Sequence, residues 1–277
     1  MPALIYGAKG YLGQQFLNLL PNAVASEVDI ADTTAVAAEL DRVRPDIALN
    51  CAGKTGRPNV DWCEDHKAET LAANVTGPLV LLKELAARNV YWVHLGSGCI
   101  YQGDNNGKGY SETDPANYFG SFYSRTKAWS DAILQDFPVL NLRLRMPFDG
   151  SDNPRNLLTK IAKYSRVLDT ENSLTYLPDF FRAAITLIER RKIGTYNMVN
   201  PGTISPFRIM QRYTELVEPG HRFERLDPAD LPQVAKAGRS SCVLSTAKLA
   251  GEGIAIQPLD QAIEEALRGI AEARGNA

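Results

Sequence analysis

The chain has 277 residues, 44 % of them hydrophobic and 22 % charged, with a formal net charge of −2. This is the composition of an ordinary globular protein, long enough for one large domain or a main domain with a smaller partner. The near-neutral balance gives no reason to expect nucleic acid or an anionic membrane as partner, and no apolar run approaches the ~20 residues of a membrane helix. In chain order, residues 3–6 form a short apolar run, residues 10–20 read as a helix and residues 22–26 as a weak strand. Residues 33–43 are helical and stop at Arg44-Pro45, and residues 46–50 are a third strand. Residues 67–88 predict one long helix, 90–95 a strand, 123–134 a helix and 139–144 a strand. Strands separated by helices of this length predict a parallel sheet covered on both faces.

After Arg145-Met146-Pro147 the rhythm breaks. Asn153-Pro154 and Ser205-Pro206 each look like an N-cap followed by proline at the first helical position. A helix over 178–190, a strand over 195–199 and an amphipathic helix over 258–274 follow the same pattern rules. The N-terminal MPALIYGAKG lacks a basic region followed by an apolar stretch, so no secretory signal is read there. The four cysteines have no metal-type spacing; no metal is expected, and a cytoplasmic location is.

Gly7-Ala8-Lys9-Gly10-Tyr11-Leu12-Gly13 follows the first strand and opens the first helix. Glycines there permit a tight turn and close approach of a pyrophosphate to backbone N–H groups at a helix N-terminus. Gly7, Lys9, Gly10, Tyr11, Leu12 and Gly13 are therefore candidate coenzyme contacts. The chain places no Lys or Arg between Lys9 and Arg42. The end of the second strand therefore offers no cation for a 2′-phosphate. Lys9, however, directly precedes the second glycine, where a basic residue resembles an NADP signature of the short-chain dehydrogenase/reductase superfamily. Glu27 could instead serve the ribose hydroxyls of NADH. NADPH is the expected coenzyme, with NADH the alternative. The fold class expected is α/β, a Rossmann-type doubly wound parallel sheet with a smaller, mainly helical substrate-binding lobe. The dinucleotide-binding domain is placed at 1–145 with a returning strand near 194–200, and the lobe mainly at 146–277.

Tyr123 and Lys127 are four apart on a predicted helix and so share a face. A phenol titrates near ~10, and a neighbouring ammonium lowers that, which makes Tyr123 a usable proton donor to a carbonyl under reduction. Ser97 ends the preceding strand and would hold the carbonyl oxygen; Cys99 lies two residues on. Asn74 sits on the long helix, where it resembles the asparagine that supports the lysine in the short-chain dehydrogenase/reductase superfamily and is placed with the coenzyme contacts. On the residues alone it could equally be a polar residue tolerated there.

The glycine spacing and the Tyr–Lys pair resemble the extended short-chain dehydrogenase/reductase superfamily. The blocks TGRPNVDWCE (55–64), GSGCIY, Gly120 to Lys127, Arg143-Leu144-Arg145-Met146-Pro147, Asn153-Pro154-Arg155-Asn156, Asn200-Pro201-Gly202 and Arg239-Ser240 occur in order. Together they resemble the UDP-4-keto-6-deoxyglucose 3,5-epimerase/4-reductases of UDP-rhamnose synthesis, relatives of dTDP-4-dehydrorhamnose reductase. The resemblance implies a nucleotide-diphospho-sugar substrate, hydride delivery to carbon 4, and epimerisation at carbons 3 and 5. It assigns Cys99 and Lys160 to the proton transfers of epimerisation and Ser97, Tyr123 and Lys127 to reduction. Arg57, Asp61 and Glu64 lie on the loop after the third strand, which borders the ligand crevice in such folds. Asn153, Arg155 and Arg239 are candidate contacts to sugar or diphosphate that could equally be a cap or surface ion pairs. On the residues alone, Cys99 could be an inert core thiol and Lys160 a surface lysine. A reductase without epimerase activity and a non-catalytic coenzyme-binding subunit remain as alternatives. So does the oligomeric state, a homodimer being one option.

Overall fold

The structure, a computed structural model, describes residues 2–275. Its strands are β1 (Ala3–Tyr6), β2 (Ala23–Ala25), β3 (Ile47–Asn50), β4 (Tyr91–Ser97), β5 (Val139–Leu144), β6 (Arg166–Leu168), β7 (Gly194–Asn197) and β8 (Glu224–Leu226). Its helices are α1 (Tyr11–Leu19), α2 (Thr33–Val43), α3 (Trp62–Asp65), α4 (Lys67–Leu71), α5 (Gly77–Ala86), α6 (Phe122–Leu134), α7 (Leu157–Ile161), α8 (Leu177–Glu189), α9 (Pro206–Leu216), α10 (Ala247–Gly251) and α11 (Leu259–Ala273). Two compact units divide the chain. The first holds the chain up to Ile100, with Ala116–Arg143 and Leu187–Tyr196; the second holds Tyr101–Pro115, Leu144–Thr186 and the chain from Asn197 onward. No described helix is long and apolar enough to cross a membrane.

The first unit is built on a six-stranded sheet in the order β2-β1-β3-β4-β5-β7, a Rossmann-type arrangement. β1 pairs in parallel with β2 and β3, and β3 with β4. Every residue of β1 and β3 is buried, which is why β1 and the first three residues of β3 read as apolar runs rather than alternating ones. Leu4, Tyr6, Ala48 and Trp92 of the sheet pack with Val36, Leu40, Leu81 and Leu85 of the helices. β1 lies between β2 and β3, so strand order reverses at β1/β3, where α/β sheets open a ligand crevice at the strands' carboxyl ends.

Helix ends follow local chemistry. Asp32 caps α2 by accepting from Ala35 N–H at 3.0 Å, and α2 ends with Arg44 in the left-handed region (φ 50°) before Pro45. The helix expected over 67–88 is present but not regular. Residues Ala72–Thr76 form a π-turn between α4 and α5. Pro78 supplies no N–H to the Asn74 carbonyl one turn back, and the ladder widens there.

The second unit has its own core. Ile209, Met210 and Tyr213 of α9 pack with Leu259, Ile263, Leu267 and Ile270 of α11, joined by Phe148 and Leu158. β6 and β8 make a two-stranded parallel sheet. These strands are three residues each, too short to show a period in the sequence. Residues 101–115 lie in this unit because Gly103 and Tyr110 bridge to Cys242 and Leu244. Ser205 caps α9 as expected, accepting from Arg208 N–H at 3.1 Å with Pro206 behind it. Asn153-Pro154 does not cap a helix. The Asn153 side chain accepts from Arg155 N–H at 2.9 Å to close a local turn, and α7 begins at Leu157 under Asn156, whose Oδ1 accepts from Leu158 N–H at 3.1 Å. An asparagine two residues before a free N–H serves a turn as readily as a cap.

Candidate active site

β1 delivers Gly7 in the left-handed region (φ 73°), and α1 begins at Tyr11 behind Gly10. A methyl group on Gly7 would sit 2.5 Å from Ala52 N, and one on Gly13 would sit 2.4 Å from the Gly7 carbonyl oxygen. A side chain at Gly7 would close the turn against the loop after β3, and one at Gly13 would strike the turn's own backbone. Gly10 places no side chain over the first turn of α1, which leaves room for an anion at those N–H groups. These features fit a dinucleotide pyrophosphate. Tyr11 and Leu12 are half-buried in that first turn. Lys9 and Glu27, the two residues on which coenzyme choice was argued, are bound to each other: Nζ lies 2.9 Å from Oε1. The lysine holds the Glu27 carboxyl below its usual range.

Behind the turn lies a buried polar seam. Asn50 Oδ1 accepts from Ala52 N–H at 3.0 Å, and Asn50 Nδ2 lies 3.2 Å from His94 Nδ1. Because the amide nitrogen donates, Nδ1 accepts and the neutral ring carries its proton on Nε2. Burial, with Lys127 nearby, keeps His94 well below its usual titration range, so it stays neutral.

α6 carries the Tyr–Lys pair. Its N-terminus is fixed twice: Ser121 Oγ accepts from Ser124 N–H at 3.1 Å, and Glu64 Oε1 accepts from Phe122 N–H at 2.6 Å. The first contact is an ordinary cap, legible in the sequence as a serine ahead of a helix. The second comes from α3, 58 positions earlier, and leaves no local signal. Lys127 is buried and donates to the Leu95 carbonyl at 3.0 Å, which sets its ammonium under the end of β4. Burial lowers it from the ordinary 10.5 to about 8, opposed by Asp131 and by Cys99. Ser97 is the last residue of β4, and its Oγ accepts from Cys99 N–H at 3.2 Å. The hydroxyl, the thiol and the lysine therefore share the carboxyl end of one strand. Burial pushes the Cys51 thiol up to about 12, leaving it protonated.

Asn74 lies in the π-turn and is buried. Its Oδ1 accepts from Lys54 N–H at 2.8 Å, and its Nδ2 donates to the Lys54 carbonyl at 3.0 Å and to Thr126 Oγ1 at 3.1 Å. Thr126 in turn donates to the Tyr123 carbonyl at 2.8 Å. Asn74 thus ties the loop after β3 to the turn of α6 between Tyr123 and Lys127, a use of a π-turn often met at functional sites. Thr126 was not among the expected site residues, and Glu64 was expected only as a residue of the loop bordering the ligand crevice, not as an acceptor at the start of α6. Arg57 is exposed on the loop after β3.

The other expected residues lie in the second unit. Lys160 is half-buried on α7, with Asn153 and exposed Arg155 in the turn before it. Arg239 Nη1 donates to the Ala237 carbonyl at 2.7 Å. The adjoining Ser240 is held by Arg145, which donates to its carbonyl at 2.5 Å and also to Asn172 Oδ1.

The titration of Lys127 has a measurable consequence. Its ammonium is lost above about pH 8, so any activity that depends on the ammonium is expected to decline on the alkaline side with an apparent pKa near 8. Because the folded value lies below the unfolded one, the unfolded chain binds more protons between about 8 and 10.5. This lysine's contribution to stability therefore rises with pH across that window. Rate–pH profiles and denaturant melts at matched pH check the two halves.

Over residues 1–271 the chain matches the family described as the RmlD substrate binding domain. It is 36 % identical over 261 residues to a bifunctional dTDP-4-dehydrorhamnose 3,5-epimerase/dTDP-4-dehydrorhamnose reductase of Arabidopsis thaliana, covering 90 % of this chain and 86 % of that one. It is 36 % identical over 260 residues to a trifunctional UDP-glucose 4,6-dehydratase/UDP-4-keto-6-deoxy-D-glucose 3,5-epimerase/UDP-4-keto-L-rhamnose-reductase of the same plant. That match covers 90 % of this chain but spans only 39 % of the relative. The L780 UDP-rhamnose synthase of Acanthamoeba polyphaga mimivirus has a similar structure, with a TM-score of 0.92 at 32 % identity over 97 % of this chain and 99 % of that one. The chain belongs to the RmlD family of extended short-chain dehydrogenase/reductases, the nucleotide-sugar reductases.

Proposed function

We propose that this chain is an NADPH-dependent nucleotide-sugar 3,5-epimerase/4-keto-reductase that converts a UDP-4-keto-6-deoxyglucose-type substrate to the UDP-L-rhamnose form. The observation that carries the reading is the clustering of Ser97, Cys99 and buried Lys127 at the end of β4, with Tyr123 one turn before Lys127 on α6. When bound, the coenzyme supplies the hydride for carbon 4. The Ser97 hydroxyl donates to the C4 carbonyl oxygen, and Tyr123 gives that oxygen its proton as reduction proceeds. The Lys127 ammonium favours the phenolate that Tyr123 becomes.

Epimerisation uses the same carbonyl as an electron sink. A base removes the proton from carbon 3 or 5, Ser97 and Tyr123 stabilise the enolate oxygen, and an acid returns a proton on the opposite face. Cys99 has the chemistry for one of these roles, since a thiol can exchange a proton near neutral pH far more readily than a hydroxyl. Lys160 takes the other. Arg57, Asn153, Arg155 and Arg239 are assigned to the sugar and diphosphate, arginine being suited to bidentate phosphate binding.

The test is solvent exchange. The protein is incubated with UDP-4-keto-6-deoxyglucose in heavy water, and deuterium at carbons 3 and 5 is read by NMR. Cys99→Ser replaces the thiol with a hydroxyl that scarcely ionises, and exchange should fall by about 10²–10⁴-fold, the worth of a general acid or base. Reduction of the already epimerised UDP-4-keto-L-rhamnose should persist. Parent-rate exchange by the variant makes the thiol a packing group. No exchange by the parent leaves a reductase alone.

A further inference from the structure

Lys9 lies inside the glycine turn, and Glu27 lies two residues beyond β2, at the rim where a Rossmann-type unit receives the adenosine ribose. In such units an acidic residue about 20 positions after the turn accepts from the ribose hydroxyls, and a cation nearby serves a 2′-phosphate. Here both are present, and they form an ion pair of 2.9 Å with side chains 83 % and 75 % exposed. A pair so exposed contributes little to stability, so folding does not account for it. No other Lys or Arg lies between Lys9 and Arg42, and Arg42 is paired with Glu39 at 3.6 Å. The lysine that would bind a 2′-phosphate is thus already occupied by the carboxylate that would repel it.

We propose that Lys9 and Glu27 act together as a reader of the coenzyme's 2′ position: Glu27 accepts from the ribose hydroxyls of NADH, and the 2′-phosphate of NADPH binds by displacing Glu27 from Lys9. This rests on the dinucleotide reading of the glycine turn. It makes Glu27 the residue that limits the preference for NADPH and that keeps NADH usable. Displacement lowers NADPH affinity by the worth of the pair, and the remaining carboxylate repels the phosphate.

The experiment measures coenzyme binding without sugar, by calorimetry or by quenching of protein fluorescence. NADPH and NADH are the ligands, with 2′,5′-ADP and 5′-AMP as fragments that differ only in the 2′-phosphate. Glu27→Gln should tighten NADPH about 3–5-fold, the upper range for an exposed pair. It should weaken NADH by a similar factor, so that the preference shifts by about tenfold. Lys9→Ala should weaken NADPH and 2′,5′-ADP about tenfold or more, as for loss of a charged hydrogen-bond donor, with NADH and 5′-AMP little changed. In the double variant the gain from Glu27→Gln should shrink, because no lysine remains to be released. The parent's preference for 2′,5′-ADP should fall as salt is raised. If the parent binds both coenzymes but Glu27→Gln leaves their ratio unchanged, or its effect is the same with and without Lys9, the pair is not the reader. If the parent binds neither coenzyme nor either fragment, the dinucleotide reading fails, and the assignment of the pair with it.

Discussion

Replacing Tyr123 by phenylalanine is expected to slow 4-keto reduction by about 10²–10⁴-fold, the range for loss of a positioned proton donor. Coenzyme binding should stay close to the parent's. Phenylalanine keeps the ring and removes only the hydroxyl, so the backbone contacts that set the turn are untouched. Those contacts are the Thr126 bond to the Tyr123 carbonyl and the Glu64 bond to Phe122 N–H. The loss should therefore fall on the rate and not on the fold. Coenzyme oxidation followed by absorbance, with a parallel binding titration, separates the two. A variant that reduces the keto sugar at the parent rate removes Tyr123 from the chemistry and returns the coenzyme-binding-subunit alternative.

Breaking the ion pair behind α6 should be as costly to the fold as the tyrosine change is to the rate. Asp131, one turn beyond Lys127, takes both Arg143 Nε at 2.9 Å and Nη2 at 2.6 Å, and also accepts from Asn141 Nδ2 at 2.8 Å. Arg143 is wholly buried, at 0 % exposure, and Asp131 is 5 % exposed. Asp131→Ala leaves the guanidinium without its carboxylate, and removal of one partner from such a pair costs about 3–5 kcal/mol. Against a total stability of about 5–15 kcal/mol, that is enough to deplete the folded protein at moderate temperature. Asp131 also holds Lys127 up against the pull of burial. Any folded fraction should therefore show its alkaline decline in rate at lower pH than the parent. Asp131→Leu combined with Arg143→Met should recover most of the stability, because the desolvated charges leave together. Denaturant midpoints for the three proteins test the balance; equal midpoints for Asp131→Ala and the parent would make the pair dispensable.

Much of the first unit was legible because its elements obey local rules. β1 and β3 are buried on both faces, so their apolar runs stand out, and α2 carries an aspartate cap at one end and Arg44-Pro45 at the other. The glycine turn and the spacing of Tyr123 and Lys127 are legible for the same reason: each is a contiguous stretch whose geometry is set by one strand, one turn or one helix. The turn at Asn153 was misread as a helix start because the same side-chain acceptor serves a turn and a cap, and packing at Asn156 decides between them.

The remainder depends on residues far apart in the chain. Nothing local marks Glu64 as the acceptor at the start of α6, Asn74 as the partner of both Lys54 and Thr126, or Asp131 as the neutraliser of Arg143. The π-turn arises where Pro78 withholds an N–H, but its use follows from what the Asn74 amide meets across the unit. Residues 101–115 join the second unit through bridges to residues 242–244, more than a hundred positions away. The amino-acid sequence by itself therefore determined the parallel sheet, the glycine turn and the spacing of Tyr123 and Lys127 on one helix, since periodicity and spacing act over one element. Only the tertiary structure decided the burial that lowers Lys127 and the pairing of Lys9 with Glu27. Both depend on which segments fold against each other, and desolvation and charge act across that space irrespective of chain order.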